Sequence, residues 1–366
     1  MIKVYIISNM YPSKDDAYYG VFVKNFYNSM IESPEIEIVS TSFIRGRGKS
    51  FLSKLMKYIG FYISIFFKSL FIRYDIVYVH NVSHSILPLY PVLLKRAFTK
   101  IKIIINPHGE DMVITHKIDG ILLKLSLPFI KRADQIIAPS SYYAGLITSL
   151  YQLNSKKIFI SPSGGVNLSI FRVLEKQPVN ITGMKIGFVS RIDADKGWDI
   201  LLHALSTLVT IDQFKSLKVS FVGRGTDVNR FLELIDTLNL SAHVEYLGFK
   251  SHTQLPEIIN TFDVFVFPTK MKESLGLVGL ESMACGVPVI ASNQGGMSDY
   301  VKDGVNGFTF KCGDYFSLSN VLENFFNLST GEVLDMKKNA LETAKVFSSN
   351  NVKNNMIANL ISIKNK

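Results

Sequence analysis

Glu273-Ser-Leu-Gly-Leu-Val-Gly-Leu-Glu281, running on through Ser-Met-Ala-Cys-Gly-Val-Pro-Val-Ile-Ala-Ser292, decides the fold of this chain. Two carboxylates flank a glycine-containing turn. The turn opens a short apolar helix, Gly286 stops that helix, and a buried strand follows. A helix N-terminus presents unpaired N–H groups and a positive dipole end, which suit a phosphate. Eight helical steps cover about 12 Å, so a diphosphate fits between Glu273 and Glu281, where each carboxylate can accept hydrogen bonds from sugar hydroxyls. Two acids alone would fit a buried helix with solvated ends. The order of turn, helix, stop and strand makes the stronger argument.

Strand and helix alternate along the rest of the chain. In the first half, β-branched runs at Lys3–Ile7, Glu35–Val39, Asp75–His80, Lys102–Asn106, Asp134–Ala138 and Lys157–Ser161 are continuous rather than alternating, as in parallel strands covered on both faces. Helical segments fall near 20–31, 50–72, 84–98, 119–132 and 140–150. Ser163–Gly183 reads as a linker. The pattern restarts with strands at Lys185–Ser190, Leu217–Val222, Val244–Gly248, Asp263–Phe267 and Pro288–Ala291. Two such series imply an α/β chain of two doubly wound domains, the first over 1–170 and the second over 171–348, with a final helix over 349–366. Ligands of such sheets sit beyond the carboxyl ends of the strands, so the expected site is a cleft between the domains.

The motifs around the opening string resemble those of the large retaining glycosyltransferase family with the GT-B fold and the Glu-x7-Glu signature, glycosyltransferase family 4. Upstream lie Phe188-Val-Ser-Arg191 with Lys196-Gly197, Val222-Gly-Arg-Gly225, Tyr246-Leu-Gly-Phe249 and Asp263-Val-Phe-Val-Phe-Pro-Thr269. Downstream lie Gly295-Gly296 and Asp303-Gly-Val-Asn-Gly-Phe308. Weaker marks in the first half are Tyr11-Pro12 before Gly20-Val-Phe-Val23, Pro107-His-Gly-Glu-Asp111 and Ala138-Pro-Ser140. The resemblance implies that Arg191 and Lys196 hold the pyrophosphate and that Glu281 accepts from the ribose. It further implies that Glu273 orients the transferring sugar, that His108 contacts that sugar, and that the last helix crosses back to the first domain. The amides near Gly276, Leu277 and Val278 should reach the phosphates or the sugar. At Gly20 a side chain would obstruct phosphate. Glu110 and Asp111 are candidates on the acceptor side.

Fixed cations and backbone donors can stabilise a leaving diphosphate as Mg²⁺ does, so a nucleotide sugar, UDP-linked in preference to GDP-linked, is expected as donor with no metal or other cofactor. His80 and His84 are four apart, but no acidic or Cys partner completes a metal set. The lone Gly223-Arg-Gly225 lacks the third glycine of a dinucleotide fingerprint, which argues against an oxidoreductase. Two other functions fit the same architecture: a nucleotide-sugar epimerase, and a non-catalytic subunit of a polysaccharide assembly complex.

Charge and length set the partners. At 366 residues, 47% hydrophobic, the chain suits two domains. Cys285 and Cys312 do not make a disulfide framework. Residues 1–175 carry 21 Lys/Arg against 11 Asp/Glu, while 176–366 carry 19 of each. Ile44–Arg73 holds seven basic residues and no acidic one. Its apolar content favours anionic lipid over nucleic acid. Positions 50, 54, 57, 61, 64 and 68 form one helical stripe, so Lys54, Lys57, Phe61 and Lys68 are expected to face an anionic bilayer, with the remaining apolar positions packed on the sheet. The expected protein is peripheral on the cytoplasmic face of the cell membrane. It would glycosylate a lipid-linked saccharide in bacterial surface-polysaccharide assembly, such as lipopolysaccharide or capsule.

Overall fold

A computed structural model describes residues 1–16, 19–108, 117–174 and 185–365. The chain forms two compact units, one of residues 1–164 with 350–366 and one of residues 165–349.

The first unit runs β1 (Ile2–Tyr11), α1 (Val21–Ile31), β2 (Ile36–Arg45), α2 (Phe51–Phe71), β3 (Ile76–His80), α3 (Val82–Ser85), α4 (Tyr90–Arg96), β4 (Lys102–Asn106), α5 (Lys117–Arg132), β5 (Gln135–Ala138), α6 (Ser141–Tyr151) and β6 (Ile158–Ile160). Its sheet is parallel, in the order β2-β1-β3-β4-β5-β6. Strand order reverses between β1 and β3. The single helix expected over 84–98 is divided by a 3₁₀ turn at Leu87–Leu89, because Pro88 and Pro91 can each start a helical segment but cannot continue one.

The second unit runs β7 (Lys185–Val189), α7 (Trp198–Leu208), β8 (Lys218–Val222), α8 (Val228–Thr237), β9 (Val244–Gly248), α9 (Leu255–Ile259), β10 (Val264–Phe267), α10 (Leu277–Ala284), β11 (Val289–Ser292), β12 (Gly307–Phe310), α11 (Tyr315–Phe326) and α12 (Thr330–Val346). Its parallel sheet has the order β12-β11-β10-β7-β8-β9 and reverses between β7 and β10. Continuous apolar strands serve a core on each face. Trp198, Leu201 and Leu205 of α7 fill one, and Leu280 and Met283 of α10 the other. β12 and α11 were not foreseen from the sequence. β12 is a short edge strand that begins at Gly307, where the chain passes against Val289 of β11.

The last helix, α13 (Ser349–Asn365), belongs to the first unit. It buries Met356, Leu360 and Ile363 among Ile2, Val4, Ile6 and Tyr78. Polar contacts fix its register: Lys353 to Glu32 at 2.7 Å, Asn359 with Gln135, and Lys364 to Asp75 at 2.9 Å.

The orientation of α2 corrects the sequence expectation. Phe61 is 4% exposed and packs in the core with Ile65. Lys57 Nζ donates to the carbonyls of Arg45 (2.7 Å) and Gly46 (2.9 Å), and Lys68 Nζ to that of Thr41 (2.6 Å). Ser64 bonds Ser42 at 2.9 Å. Lys54 alone of the four named residues is exposed. The polar stripe therefore faces β2 and the loop after it, and the apolar side of the helix is outside. Carbonyls at the edge of a sheet need donors, and the lysines supply them.

Leu360 has no exposed surface. Leu360→Ala should leave a cavity under the first sheet and destabilise the protein by about 2–5 kcal/mol, read as a lower urea midpoint for the transition that reports on the first unit.

Candidate functional site

Ligands of open parallel sheets collect where strand order reverses, since the loops after the two central strands leave to opposite sides. In the second unit that point lies beyond β7 and β10. Arg191, just past β7, is exposed and pairs with Asp193 and, at 3.8 Å, with Asp195. The Thr226 backbone N–H, 2.8 Å from Asp193, holds that carboxyl below its ordinary range, with help from the Thr226 hydroxyl and Arg191. Lys196 ends a 3₁₀ turn before α7. Its ammonium lies 2.7 Å from Glu273 Oε1, with side-chain exposures of 11% and 20%. The two loops thus meet through a largely buried ion pair.

The loop from β10 to α10 is held from behind. Ser292 Oγ donates to the carbonyl of Thr269 at 2.7 Å, and Gln294 Nε2 to those of Thr269 and Met271. The Gly296 N–H donates to the Glu273 carbonyl at 2.8 Å. A Cβ on Gly295 would lie 2.8 Å from Glu273 N, and one on Gly296 2.4 Å from Ser274 O. Gly295-Gly296 is thus required because two backbones touch there.

Glu273 and Glu281 are not spaced by eight helical steps as first reckoned. Residues 273–276 form a turn, and α10 begins only at Leu277. Its N-cap is Gly276, which has no side chain to cap the first turn, and Tyr300 Oη donates to the Gly276 carbonyl at 2.8 Å. Leu277 and Val278 supply amides at that N-terminus, where dipole and N–H groups favour an anion. Glu281, one turn further on, accepts from His252 Nε2 at 3.1 Å. This bond to the carboxylate raises the His252 pKa above 6.5, outweighing the opposing effect of burial. Phe171 packs edge-on against the same imidazole, 4.8 Å between centroids. His252 was missed by the sequence reading. A lone histidine before a short helix carries no local motif, and only the fold brings it to Glu281.

In the first unit, the reversal between β1 and β3 gathers Gly20, His80 and His108. Gly20 precedes α1 with φ 72°, and a Cβ there would lie 2.6 Å from the Met10 carbonyl carbon. Backbone packing alone thus requires this glycine. His80 Nδ1 and His108 Nε2 are 2.9 Å apart, and the rings stack with centroids 5.2 Å apart. Phe22 covers His108 at 4.1 Å. Burial lowers both histidine pKa values, well below 6.5 for His80 and to about 3 for His108, so both are neutral near pH 7. His80, at the end of β3, is a partner of His108. Among the described residues no cluster of His, Cys, Asp and Glu is arranged to hold a metal. Glu110 and Asp111 lie outside the described residues.

His252 offers a signed pH test. A histidine raised on folding adds stability that is complete below 6.5 and is lost as pH rises through its folded value. An NMR titration should find the His252 pKa above 6.5, and Glu281→Gln should lower it. The stability advantage of wild type over that variant should shrink as pH rises through the wild-type value. An unchanged His252 titration in Glu281→Gln would remove this pair from the site.

Residues 3–167 match the family described as Glycosyltransferase Family 4, and residues 172–343 that described as Glycosyl transferases group 1. The D-inositol 3-phosphate glycosyltransferase of Mycobacterium marinum is 27% identical over 236 residues, covering 63% of this chain and 50% of that protein. Its Mycobacterium tuberculosis counterpart is also 27% identical, with coverages of 63% and 48%. The chain thus spans about half the length of these relatives. Among solved structures, Anabaena HepE in complex with UDP is similar with a TM-score of 0.74 at 17% identity, over 99% of this chain and 100% of that one. The apo lipopolysaccharide outer core galactosyltransferase WaaB gives 0.71 at 16%, over 99% of each chain. The two family matches run through nearly the whole chain, over the same two α/β units that the structure displays, and the protein belongs to glycosyltransferase family 4, its second unit being of the group 1 type.

Proposed function

We propose that this protein is a retaining glycosyltransferase that moves a sugar from a UDP-sugar to a lipid-linked saccharide in bacterial surface-polysaccharide assembly. The observation that carries the reading is the Lys196–Glu273 ion pair beside the N-terminus of α10, where Gly276 is the N-cap. It sets a cation, a carboxylate and backbone donors where strand order reverses. Solved structures of Anabaena HepE hold UDP and UDP-glucose, which supports a uridine nucleotide donor. The likeness to WaaB supports a polysaccharide acceptor.

In this reading the diphosphate lies against Lys196, Arg191 and the first-turn amides of α10. These groups stabilise the negative charge that develops as the anomeric C–O bond breaks, and they replace a metal in that role. Glu273 orients hydroxyls of the transferring sugar, and Lys196 holds that carboxylate in place. Glu281 accepts from the ribose hydroxyls, for which His252 must yield. Neutral His108 hydrogen-bonds the sugar. The acceptor oxygen attacks the anomeric carbon from the face the diphosphate leaves, and its proton passes to the departing phosphate oxygen. Configuration is retained without a protein base.

Steady-state kinetics with a panel of UDP- and GDP-sugars, with and without a lipid-linked saccharide, tests the assignment. Glu273→Ala should depress kcat more than donor affinity, and Glu281→Ala should mainly raise the donor KM. Wild-type activity in either variant would overturn the site. Lys196→Ala should lose on the order of a hundredfold in turnover, as when one preorganised charge stabiliser is removed. EDTA should leave the wild-type rate intact; loss in EDTA with recovery on Mg²⁺ would refute the metal-independent mechanism.

A further inference from the structure

Outside the candidate site, the most unusual surface of the first unit is the outer side of α2. Ten large apolar side chains of this helix are exposed, among them Leu52 (65%), Met56 (60%), Ile63 (52%), Phe67 (53%) and Phe71 (76%). A folded chain rarely leaves so long an apolar stripe bare unless something covers it. The surface continues beyond the helix. Lys95 Nζ donates to the carbonyls of Ser69, Leu70 and Ile72, which fastens the end of α4 to the end of α2. Leu94, in that last turn of α4, is 73% exposed, and Phe98 just after it 90%. Leu94 also lines a groove of about 640 Å³ with Tyr90, Leu93, Arg96, Ala97 and Arg132.

Charge selects the occupant. Between residues 38 and 108 the only acidic residue is Asp75, which is engaged by the Lys3 amide and Lys364. Lys54, Arg73 and Lys100 are exposed in the same segment. A second copy of this surface would set cation against cation. An anionic bilayer would instead take the apolar side chains into its acyl boundary and the lysines and arginines at its headgroups. The helix has 21 residues, about 31 Å at 1.5 Å per residue. No helix among the described residues is long and apolar enough to cross a membrane, so α2 would lie in the plane of the interface.

We propose that the outer apolar face of α2, with Leu94 and Phe98, is a membrane-insertion surface for anionic phospholipid. The penetrating groups are thus Met56, Ile63 and Phe67 and their exposed neighbours, and not Phe61, Lys57 and Lys68, which are committed to the body of the unit. The surface is independent of the transferase reading, and its test uses no activity.

The 366-residue chain is sedimented with vesicles of phosphatidylglycerol and phosphatidylcholine in equal parts, and with pure phosphatidylcholine. Wild type should partition into the mixed vesicles, and more weakly into the neutral ones. Met56→Ser, Ile63→Ser and Phe67→Ser together should cut partition into mixed vesicles at least tenfold; circular dichroism should match wild type, since all three side chains are exposed. Separately, Phe67→Trp places an indole on the surface while the native Trp198 is fully buried. Its emission should shift blue on mixed vesicles and be quenched by lipid brominated on the acyl chain. Three outcomes overturn the proposal: sedimentation of the triple variant like wild type, equal partition into both vesicle types, or a wild-type dimer that the triple variant abolishes while vesicles leave the protein in solution.

Discussion

Pairing of β7 with β10 fixes where the second unit opens a crevice beyond its strands. The crossovers from these two neighbours leave on opposite sides of the sheet, so their loops part around a crevice. Lys196 comes from one loop and Glu273 from the other. Both are largely buried, and a buried charge stripped of its partner is strongly destabilising. Each therefore fixes the other. Everything behind the pair serves rigidity. Ser292 and Gln294 bond the backbone of the β10 loop, and Gly295-Gly296 lie flat against Glu273–Leu275. A site held by backbone contact loses little entropy when its ligand binds.

The parallel strands were legible because both faces of each sheet are covered, which turns every central strand into an unbroken apolar run such as Val264–Phe267. The Glu273–Glu281 string was legible because its turn, helix and stop are local. What stayed hidden depends on contacts remote in sequence. His252 reaches Glu281 across 29 positions, and His80 reaches His108 across 28, with no spacing rule to announce either. The division of the 84–98 segment was readable from Pro88 and Pro91, but apolar periodicity outweighed them. The distance between Glu273 and Glu281 was misjudged because it was counted as helical rise throughout, although the helix starts only at Leu277.

The two histidine sites stand in opposite electrostatic environments. His252 has a carboxylate 3.1 Å away and more than half its side chain in solvent, so its charged form is favoured near Glu281. His80 and His108 lie against each other and the rings of Phe22 and Phe26, and burial disfavours the charged form of either. A neutral imidazole pair has one N–H and one lone pair at its shared contact, so the tautomer of one ring sets that of the other. His80 is thereby coupled to the tautomer of His108.

Helix α2 follows the same rule on the outside of the first sheet. β2 is one of the two edge strands, and carbonyls in and just after it take their donors from α2. Lys57 and Lys68 meet that need, and Ser64 joins Ser42 beside them. A helix that turns its polar side inward to satisfy an edge has only its apolar side left for the exterior. Periodicity read along the sequence is the same for either orientation, because it measures how residues segregate and not which face meets the protein. The usual assumption that polar residues face outward therefore fails here for a reason that lies in the neighbouring strand. The bare apolar side is a consequence of satisfying β2.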